Sequence, residues 1–341
     1  MTHPTQMRRE IEEIPQAVER LLSEGAGAVT GAAKAVRDGD IRYLISVARG
    51  SSDHACTYLK YASELMLGLP IASVGPSVAS IYGAPLKAQD ALCIAVSQSG
   101  ASPDIVQLTQ QLTDAGAYSV AITNNAQSAL AGAASTTLPI HAGPELSVAA
   151  TKTYVTSLVT GLWLLAEIKQ DAALLAAIKA LPAQLEAATK CDWSAVVDTI
   201  SGGSLYTLGR GPSWAISNEA ALKFKETCQI HAESFSSAEV LHGPVSIVDA
   251  GFPVIGFAAA DAAEPSLVEV ADTIAGKGAK VFVTSDKVKS ANTLEHVRTD
   301  HWLADPIPLV VSFYAMVEQV AAKMGINPDA PRHLKKVTET V

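Results

Sequence analysis

The stretch ALCIAVSQSGASP at residues 91–103 decides the fold. Its first six residues are apolar and predict a buried strand, residues 97–102 predict a turn, and Pro103 favours the first turn of a helix. The same order of strand, small-residue turn and helix recurs from residues 41, 118 and 204. Such alternation is typical of a parallel sheet with helices on both faces, a three-layer αβα arrangement, so we predict an α/β fold.

Two parts of the chain repeat one pattern. Residues 48–52 read Ala-Arg-Gly-Ser-Ser and residues 209–213 read Gly-Arg-Gly-Pro-Ser, and an Ala-rich helical pattern follows each. We therefore predict a duplicated domain. The predicted parts are an N-terminal helical segment at 1–34, a first domain at 35–190, a second domain at 191–330 and a C-terminal tail at 331–341. Pro15 interrupts the helical period of the first segment, which predicts a break between two helices there.

Composition narrows the function classes. Hydrophobic residues make up 48% of the 341 residues and charged residues 17%, which is ample for buried cores. The net charge of −9 disfavours nucleic acid as a partner. No apolar run approaches the roughly 18 residues of a membrane span, and residues 1–13 contain no hydrophobic signal segment. We expect a cytoplasmic protein with no membrane partner.

The four cysteines, Cys56, Cys93, Cys191 and Cys228, lie far apart in sequence. That spacing disfavours a zinc site and a disulfide framework, so we expect reduced core thiols and no bound metal.

The turn at 97–102 has the composition of an anion site. A turn between a parallel strand and a helix presents backbone N–H groups at the positive end of the helix dipole. Ser97, Ser99 and Ser102 add hydroxyl donors and Gln98 adds an amide, while Gly100 permits a tight turn. The turn itself contains no Lys or Arg, which predicts a neutral, hydrogen-bonding cradle for a phosphate. The alternative is that these serines only cap a helix.

The matching strand of the second half, at 253–257, ends in Ala-Ala-Ala-Asp at 258–261. These residues carry no hydroxyls, and Asp261 would repel an anion. The sequence therefore predicts one anion site per chain.

Candidates for catalysis lie in the second half. Glu219, Lys223 and Glu226 share one face of a predicted helix, since they follow at i, i+4 and i+7. A solvated salt-bridge ladder has the same spacing. His242 lies in a Gly-Pro loop, where an exposed side chain without a role is the alternative interpretation.

Seven motifs together resemble the isomerase half of glucosamine-6-phosphate synthase, which consists of two sugar isomerase (SIS) domains. The resemblance extends in order from about Met7 to Val341. The motifs are SQSG at 97–100, ELSVAATK at 145–152, GRG at 209–211, ALKFKE at 221–226, IHAE at 230–233, EVLHGP at 239–244 and PRHLKKV at 331–337.

The resemblance implies binding residues for a phosphorylated sugar. Those for its phosphate are Ser52, Ser97, Gln98, Ser99 and Ser102. Val148 and Ala149 are implied to line the sugar site.

The resemblance also implies catalytic roles. Glu226 resembles the base that moves a proton between C1 and C2, and Lys223 resembles the neighbour that helps deprotonate a sugar hydroxyl. His242 resembles the ring-opening residue, which reaches into the site of a neighbouring subunit, so a homodimer is expected. Lys336 resembles the lysine of a C-terminal tail that closes over the open-chain sugar.

Differences from the synthase pattern make the chain more similar to stand-alone members of the same family, the SIS-type glucosamine-6-phosphate deaminases, and this resemblance implies the opposite direction of reaction. The synthase's glutaminase domain has no counterpart here and no cysteine precedes Cys56, so we expect no built-in ammonia source. Arg49 stands where the synthase usually has Cys, and the anion turn continues Gly-Ala-Ser-Pro-Asp104 where the synthase has Gly-Glu-Thr. We expect hydrolytic deamination of glucosamine 6-phosphate to fructose 6-phosphate and ammonia, without metal or organic cofactor.

Several alternatives stay open. The substrate could be galactosamine 6-phosphate or a fructosamine 6-phosphate, or the chain could be a synthase fed by free ammonia. A sugar-phosphate-binding regulator is a further alternative, against which the presence of Glu226, His242 and Lys336 argues.

Overall fold

The computed structural model describes residues 4–336. Its helices are α1 (Gln6–Glu12), α2 (Ile14–Glu24), α3 (Ala26–Asp38), α4 (Ser51–Leu67), α5 (Ser77–Ser80), α6 (Pro103–Asp114), α7 (Ala129–Ala133), α8 (Lys152–Lys169), α9 (Ala172–Ala188), α10 (Ser194–Thr199), α11 (Ser213–Cys228), α12 (Glu264–Ala275) and α13 (Pro306–Lys323). Its strands are β1 (Tyr43–Val47), β2 (Ile71–Ser73), β3 (Ala91–Val96), β4 (Tyr118–Thr123), β5 (Thr136–Pro139), β6 (Ser204–Gly209), β7 (His231–Ser236), β8 (Pro253–Gly256), β9 (Lys280–Val283) and β10 (Asn292–Thr293).

The described chain divides into two compact units, each with its own sheet. The first unit comprises 16–145, 152–179 and 335–336, and the second comprises 4–15, 146–151 and 180–334. Each sheet has five parallel strands, so the predicted α/β class is confirmed. The predicted domain boundaries stay predictions, and the parts of the terminal segments at 1–3 and 337–341 lie outside the described residues.

The first sheet is centred on β3, whose six residues are all buried. A parallel strand with a neighbour on each side and helices over both faces exposes nothing to water, and this favours small aliphatic side chains. Cys93 and Ala95 accordingly belong to one apolar cluster with Leu108 and Leu112 of α6. This packing fixes the point at which β3 ends and its turn begins.

The strand order of the first sheet is β2-β1-β3-β4-β5. The chain leaves β1 through α4 toward β2, and it leaves β3 through α6 in the opposite direction, toward β4. Right-handed crossovers therefore place α4 and α6 on opposite faces, and a crevice opens between the carboxyl ends of β1 and β3. Open α/β sheets bind ligands at such a crevice.

The second sheet has the order β10-β9-β8-β6-β7. Here β6, β7 and β8 take the places that β1, β2 and β3 have in the first sheet. The equivalent crevice lies between the carboxyl ends of β6 and β8. The shared topology supports the predicted duplication.

Details at the element ends agree with the sequence in one case and differ in another. The helix break is confirmed: α1 ends at Glu12, α2 begins at Ile14, and Pro15 occupies its second position, where no helical hydrogen bond is lost. The sequence does not predict the edge strand β7, because its sequence HAESFS contains no apolar run.

Within residues 4–336 no helix combines the length and apolarity that a bilayer crossing requires.

Candidate active site

Two turns meet at the crevice of the first sheet. Ser52 lies in the first turn of α4, just after β1, and the turn at 97–102 follows β3. Since β1 and β3 are neighbours in register, with Val47 opposite Ala95, both turns emerge at the same edge of the sheet. The structure thus brings the five predicted phosphate residues to one end of two adjacent strands.

The turn at 97–102 is shaped by Gly100, whose φ of 62° lies in the left-handed region. A Cβ at this position would overlap the Ser128 side chain and come within 3.0 Å of the Thr123 hydroxyl. Around this glycine, the Ser97 hydroxyl accepts a hydrogen bond from the Gly100 amide at 3.2 Å. The Ser99 hydroxyl accepts one from the Ala101 amide at 3.3 Å. Both hydroxyls keep their own proton to donate to a ligand.

The hydrogen bonds of this turn do not fit the alternative that its serines only cap a helix. Ser102 is the N-cap residue of α6, yet in the described chain its side chain makes no capping hydrogen bond. Pro103 at the next position has no N–H to satisfy. The Ser97 and Ser99 hydroxyls bond to amides inside the turn rather than to the helix.

An ion pair adjoins this turn. Arg49, which follows β1 after Ala48, donates from Nε to Asp104 Oδ2 at 2.6 Å, and its Nη2 pairs with the same oxygen. The Asp104 side chain is fully buried in the first turn of α6, and its Oδ1 accepts from the Ile105 amide at 2.9 Å. The neutral cradle predicted from the turn alone therefore has a charged pair beside it, which sequence spacing could not reveal.

Lys336 also lies in the first unit. Its Nζ donates to Glu145 Oε2 at 2.9 Å. The fully buried Glu145 accepts two more bonds from Thr153, from the amide at 3.0 Å and from the hydroxyl at 2.7 Å. Burial alone would raise the pKa of Glu145, but Lys336 and the two Thr153 donors outweigh burial and lower it. Glu145 therefore stays ionised, and its pairing with Lys336 is a contact that the sequence analysis did not single out.

The predicted sugar-lining residues Val148 and Ala149 belong to the second unit. Their loop, at 146–151, is anchored by the fully buried Glu10 of α1, which accepts bonds from the Leu146 amide and the Ser147 hydroxyl. Ala149 is buried and Val148 half-buried. Glu10 therefore positions this loop.

The charges of α11 form a buried cluster in the second unit. Lys223 Nζ lies 3.2 Å from Glu219 Oε1 and 2.5 Å from Glu226 Oε2. Tyr314 of α13 donates to Glu219 at 2.8 Å. Lys223 and Glu219 are fully buried, whereas the Glu226 side chain is 22% exposed. A solvated ladder does not have this burial, so that alternative is wrong.

Burial by itself would lower the pKa of Lys223, but Glu219 and Glu226 overcome it and raise the pKa above its ordinary value. Lys223 is therefore an ammonium group at neutral pH. It holds the one partly exposed carboxylate, Glu226, in a fixed position.

His242 is exposed on the loop that follows β7. Its amide donates to the Glu239 carbonyl at 2.9 Å, and the adjacent Gly243 has a φ of 138°. The Tyr206 hydroxyl donates to the Pro244 carbonyl at 3.0 Å and ties the loop to β6. The backbone around His242 is thus held while its imidazole faces solvent.

The crevice of the second sheet differs from that of the first. Asp261, beyond β8, lies 3.9 Å from the position a Cβ would take on Gly211, beyond β6. The pKa of Asp261 is raised, chiefly by burial. A carboxylate stands where the first unit has serines, as the sequence predicted.

Two further features bear on cofactors. Among residues 4–336, no cluster of three or more His, Cys, Asp or Glu side chains is placed to share a metal ion. All four cysteines are free, as predicted, and three of them are buried. Burial raises the pKa of Cys93 to about 12 and that of Cys228 to about 11, so neither thiol is a nucleophile at neutral pH.

The fold and the site together define the class of protein. The chain has two parallel five-stranded sheets with this strand order, and one of them has a serine-rich turn at its crevice. Both halves match the SIS domain family, over residues 40–168 and 200–324. The chain belongs to this family.

Among its relatives is the glutamine–fructose-6-phosphate aminotransferase (isomerizing) of Sulfolobus acidocaldarius. The two are 31% identical over 299 residues, which cover 86% of this chain and 49% of that protein. The chain spans about half the length of the curated relatives it matches, and it is homologous to their SIS half.

Solved structures agree with this assignment. A protein from Silicibacter pomeroyi DSS-3, provisionally called a phosphosugar isomerase, is 61% identical with a TM-score of 0.93, over 96% of this chain and 100% of that one. The glucosamine-6-phosphate deaminase of Thermotoga maritima is 19% identical with a TM-score of 0.79, over 98% of this chain and 100% of that one. The second likeness shows the shared fold.

Proposed function

We propose that the chain catalyses hydrolytic deamination of an amino-hexose 6-phosphate, with glucosamine 6-phosphate and water giving fructose 6-phosphate and ammonia. The observation that carries the proposal is the charge cluster of α11, in which buried Lys223 holds the partly exposed Glu226. A buried ion pair contributes little to stability, because desolvation of the two charges offsets their attraction. A catalytic carboxylate, by contrast, needs a fixed position and access to substrate.

The phosphate is assigned to the crevice of the first sheet. Ser52, Ser97, Gln98, Ser99 and Ser102 are proposed to hold it through hydroxyl, amide and backbone donors. Val148 and Ala149 are proposed to line the sugar. The donors that Gly100 brings together in its turn support this assignment.

In the proposed reaction, His242 first protonates the ring oxygen and opens the sugar to a 2-amino aldehyde. Glu226 then removes the proton from C2 and returns it to C1, while O1 takes up one proton and the amine nitrogen gives up one. The C1 carbonyl becomes a hydroxyl group and the C2 amine becomes an imine. Water adds to this imine, and ammonia leaves to give the ketose. The proposal draws on no metal or organic cofactor, because the C1 carbonyl accepts the electron pair released at C2.

The two lysines are assigned as cations. Lys223 is proposed to orient Glu226 as an ammonium donor, since its raised pKa disfavours the base role that the resemblance implies. Lys336 is proposed to stabilise the negative charge that develops on O1. Glu145 supports that role, because its carboxylate accepts a hydrogen bond from Lys336 Nζ at 2.9 Å and holds it in place.

His242 is proposed to act in the site of a second copy of the chain, within a homodimer. Its exposed side chain on a held backbone supports this assignment. A residue donated across a two-fold axis appears twice, once in each site.

A second candidate is the reverse reaction, with ammonia as the nitrogen donor. The 31% identical relative supports it, since that protein is named as an aminotransferase of fructose 6-phosphate. Galactosamine 6-phosphate and fructosamine 6-phosphate remain alternative substrates. The same proton transfer at C1 and C2 serves the gluco and galacto sugars.

The test is a coupled assay of ammonia release across the amino-sugar 6-phosphates, and of amino-sugar formation from fructose 6-phosphate with ammonium. We expect Glu226→Gln to lower turnover by about 100-fold or more and to leave fructose 6-phosphate binding unchanged in calorimetry. Glu269→Gln, an exposed change on α12, is the matched control and should stay fully active.

Near-normal turnover of Glu226→Gln would make the base assignment wrong. Tight fructose 6-phosphate binding without turnover of any substrate would instead identify a sugar-phosphate sensor.

A further inference from the structure

The pair of Arg49 and Asp104 lies between the two turns that border the crevice of the first sheet. Arg49 belongs to the turn after β1, and Asp104 follows the turn after β3 by two residues. Their side chains meet through two nitrogens of the guanidinium on one carboxylate oxygen. The pair therefore adjoins the donors to which the phosphate has been assigned.

The pair has a direction. The Asp104 side chain is 0% exposed, whereas that of Arg49 is 47% exposed. The negative end thus lies inside the protein and the positive end faces solvent at the mouth of the crevice.

Asp104 alone would oppose phosphate binding. It is an acidic residue in the first turn of α6, where its charge offsets the roughly half positive charge of the helix N-terminus. A phosphate placed at the same helix end would meet that buried carboxylate as a like charge. The guanidinium of Arg49 removes this penalty.

We propose that Arg49 is the residue that determines affinity for the phosphate dianion, and that Asp104 positions it. Asp104 fixes the guanidinium beside the serine-rich turn. Its carboxylate also limits the net positive charge of the phosphate site. The site then binds a sugar phosphate and releases the product. This inference rests on the proposed function and names a residue that the phosphate assignment did not contain.

The test measures fructose 6-phosphate and inorganic phosphate binding by calorimetry in Arg49→Met, Asp104→Asn and the double variant. Arg49→Met should weaken fructose 6-phosphate binding by about tenfold or more, since it removes a charged donor and exposes the ligand to Asp104. Asp104→Asn should bind at least as tightly as the wild type, because the asparagine oxygen still accepts from the guanidinium and positions it, while the negative charge that neutralised it is gone. The double variant should recover much of the loss caused by Arg49→Met.

The matched control is Arg42→Met. Arg42 pairs with Asp40 at 2.7 Å, is exposed, and precedes β1 at the opposite edge of the sheet. Its loss should leave Kd unchanged. Thermal melts of all variants report whether each one folds.

The outcomes separate the inference from the proposed function. If Arg49→Met binds within twofold of the wild type, or Asp104→Asn weakens binding as much as Arg49→Met, the pair is structural and the inference is wrong. Ser99→Ala should still weaken binding in that case. If the wild type binds neither ligand, the phosphate assignment and this inference both fall.

Discussion

At the scale of single residues, two buried ion pairs carry most of the proposed chemistry. Lys223 lies between two carboxylates of its own helix, and Glu145 binds Lys336 from far along the chain. In each pair a fully buried charge holds a partner that retains some exposure. The exposed partner is the group to which a step has been assigned.

Replacing Lys223 with Met should destabilise the protein by about 3–5 kcal/mol, because the change leaves buried Glu219 without its counter-charge. Urea unfolding measures the difference. Lys34→Met, which breaks an exposed pair with Asp38 on α3, should have almost no effect. Equal losses in the two variants would contradict the importance given to burial.

The pair of Glu145 and Lys336 predicts a pH dependence. The pKa of Glu145 is lowered in the fold, by Lys336 and Thr153 acting against burial. A lowered pKa adds stability above the unfolded value of about 4.3, and this stability is lost as the pH falls through the folded value.

The difference in unfolding free energy between wild type and Glu145→Gln should therefore be largest near neutral pH. It should shrink toward zero as the solution becomes acidic. Urea titrations at several pH values measure it. Glu186→Gln, which breaks an exposed pair with Lys190, is the control and should give a small difference throughout. If the difference in unfolding free energy between wild type and Glu145→Gln grew as the pH fell, the pKa of Glu145 would be raised in the fold and not lowered.

At the scale of elements, the turn at 97–102 depends on Gly100. Gly100→Ala adds a Cβ that overlaps Ser128 and imposes a left-handed φ on alanine. We expect a loss of about 1–3 kcal/mol in stability and weaker fructose 6-phosphate binding, measured by urea unfolding and calorimetry.

Gly31→Ala is the control, since Gly31 lies within α3 with open space around it. It should leave binding unchanged and stabilise the protein by up to about 1 kcal/mol. Unaltered binding in Gly100→Ala would show that the turn does not shape the phosphate site.

The strands that the sequence predicted best are those with a sharp contrast at their ends. An apolar run meets serine and glycine at the end of β3, so its bounds could be derived from local pattern alone. The edge strand β7 could not, because HAESFS alternates polar residues with few apolar ones and owes its strand to pairing with β6.

The same distinction applies to the candidate site. Glu219, Lys223 and Glu226 could be placed on one face because a helix fixes their spacing. The partners of Arg49 and Lys336 could not, since they lie 55 and 191 residues away. Tertiary folding alone brings these charges together.

At the scale of the whole molecule, the homodimer proposal makes a prediction about mixed subunits. Co-expression of Glu226→Gln with His242→Asn should restore about a quarter of wild-type activity, because half of the dimers are mixed and each mixed dimer regains one complete site. An ammonia assay on the unfractionated co-expressed protein measures it, and purified mixed dimers should reach about half of wild-type activity, with one complete site of two.

Glu226→Gln co-expressed with Glu226→Ala is the control and should stay inactive. Inactive mixed dimers of Glu226→Gln and His242→Asn would place His242 and Glu226 of one site on the same subunit.

The two crevices also have a consequence for the history of the chain. The two sheets have the same strand order. The crevice of the first is bordered by serines, and that of the second is bordered by Asp261. The shared topology supports one origin for both halves, so the serines and Asp261 mark a point at which the two copies differ. In the proposed function, the first half supplies the phosphate donors and the second supplies the catalytic carboxylate Glu226.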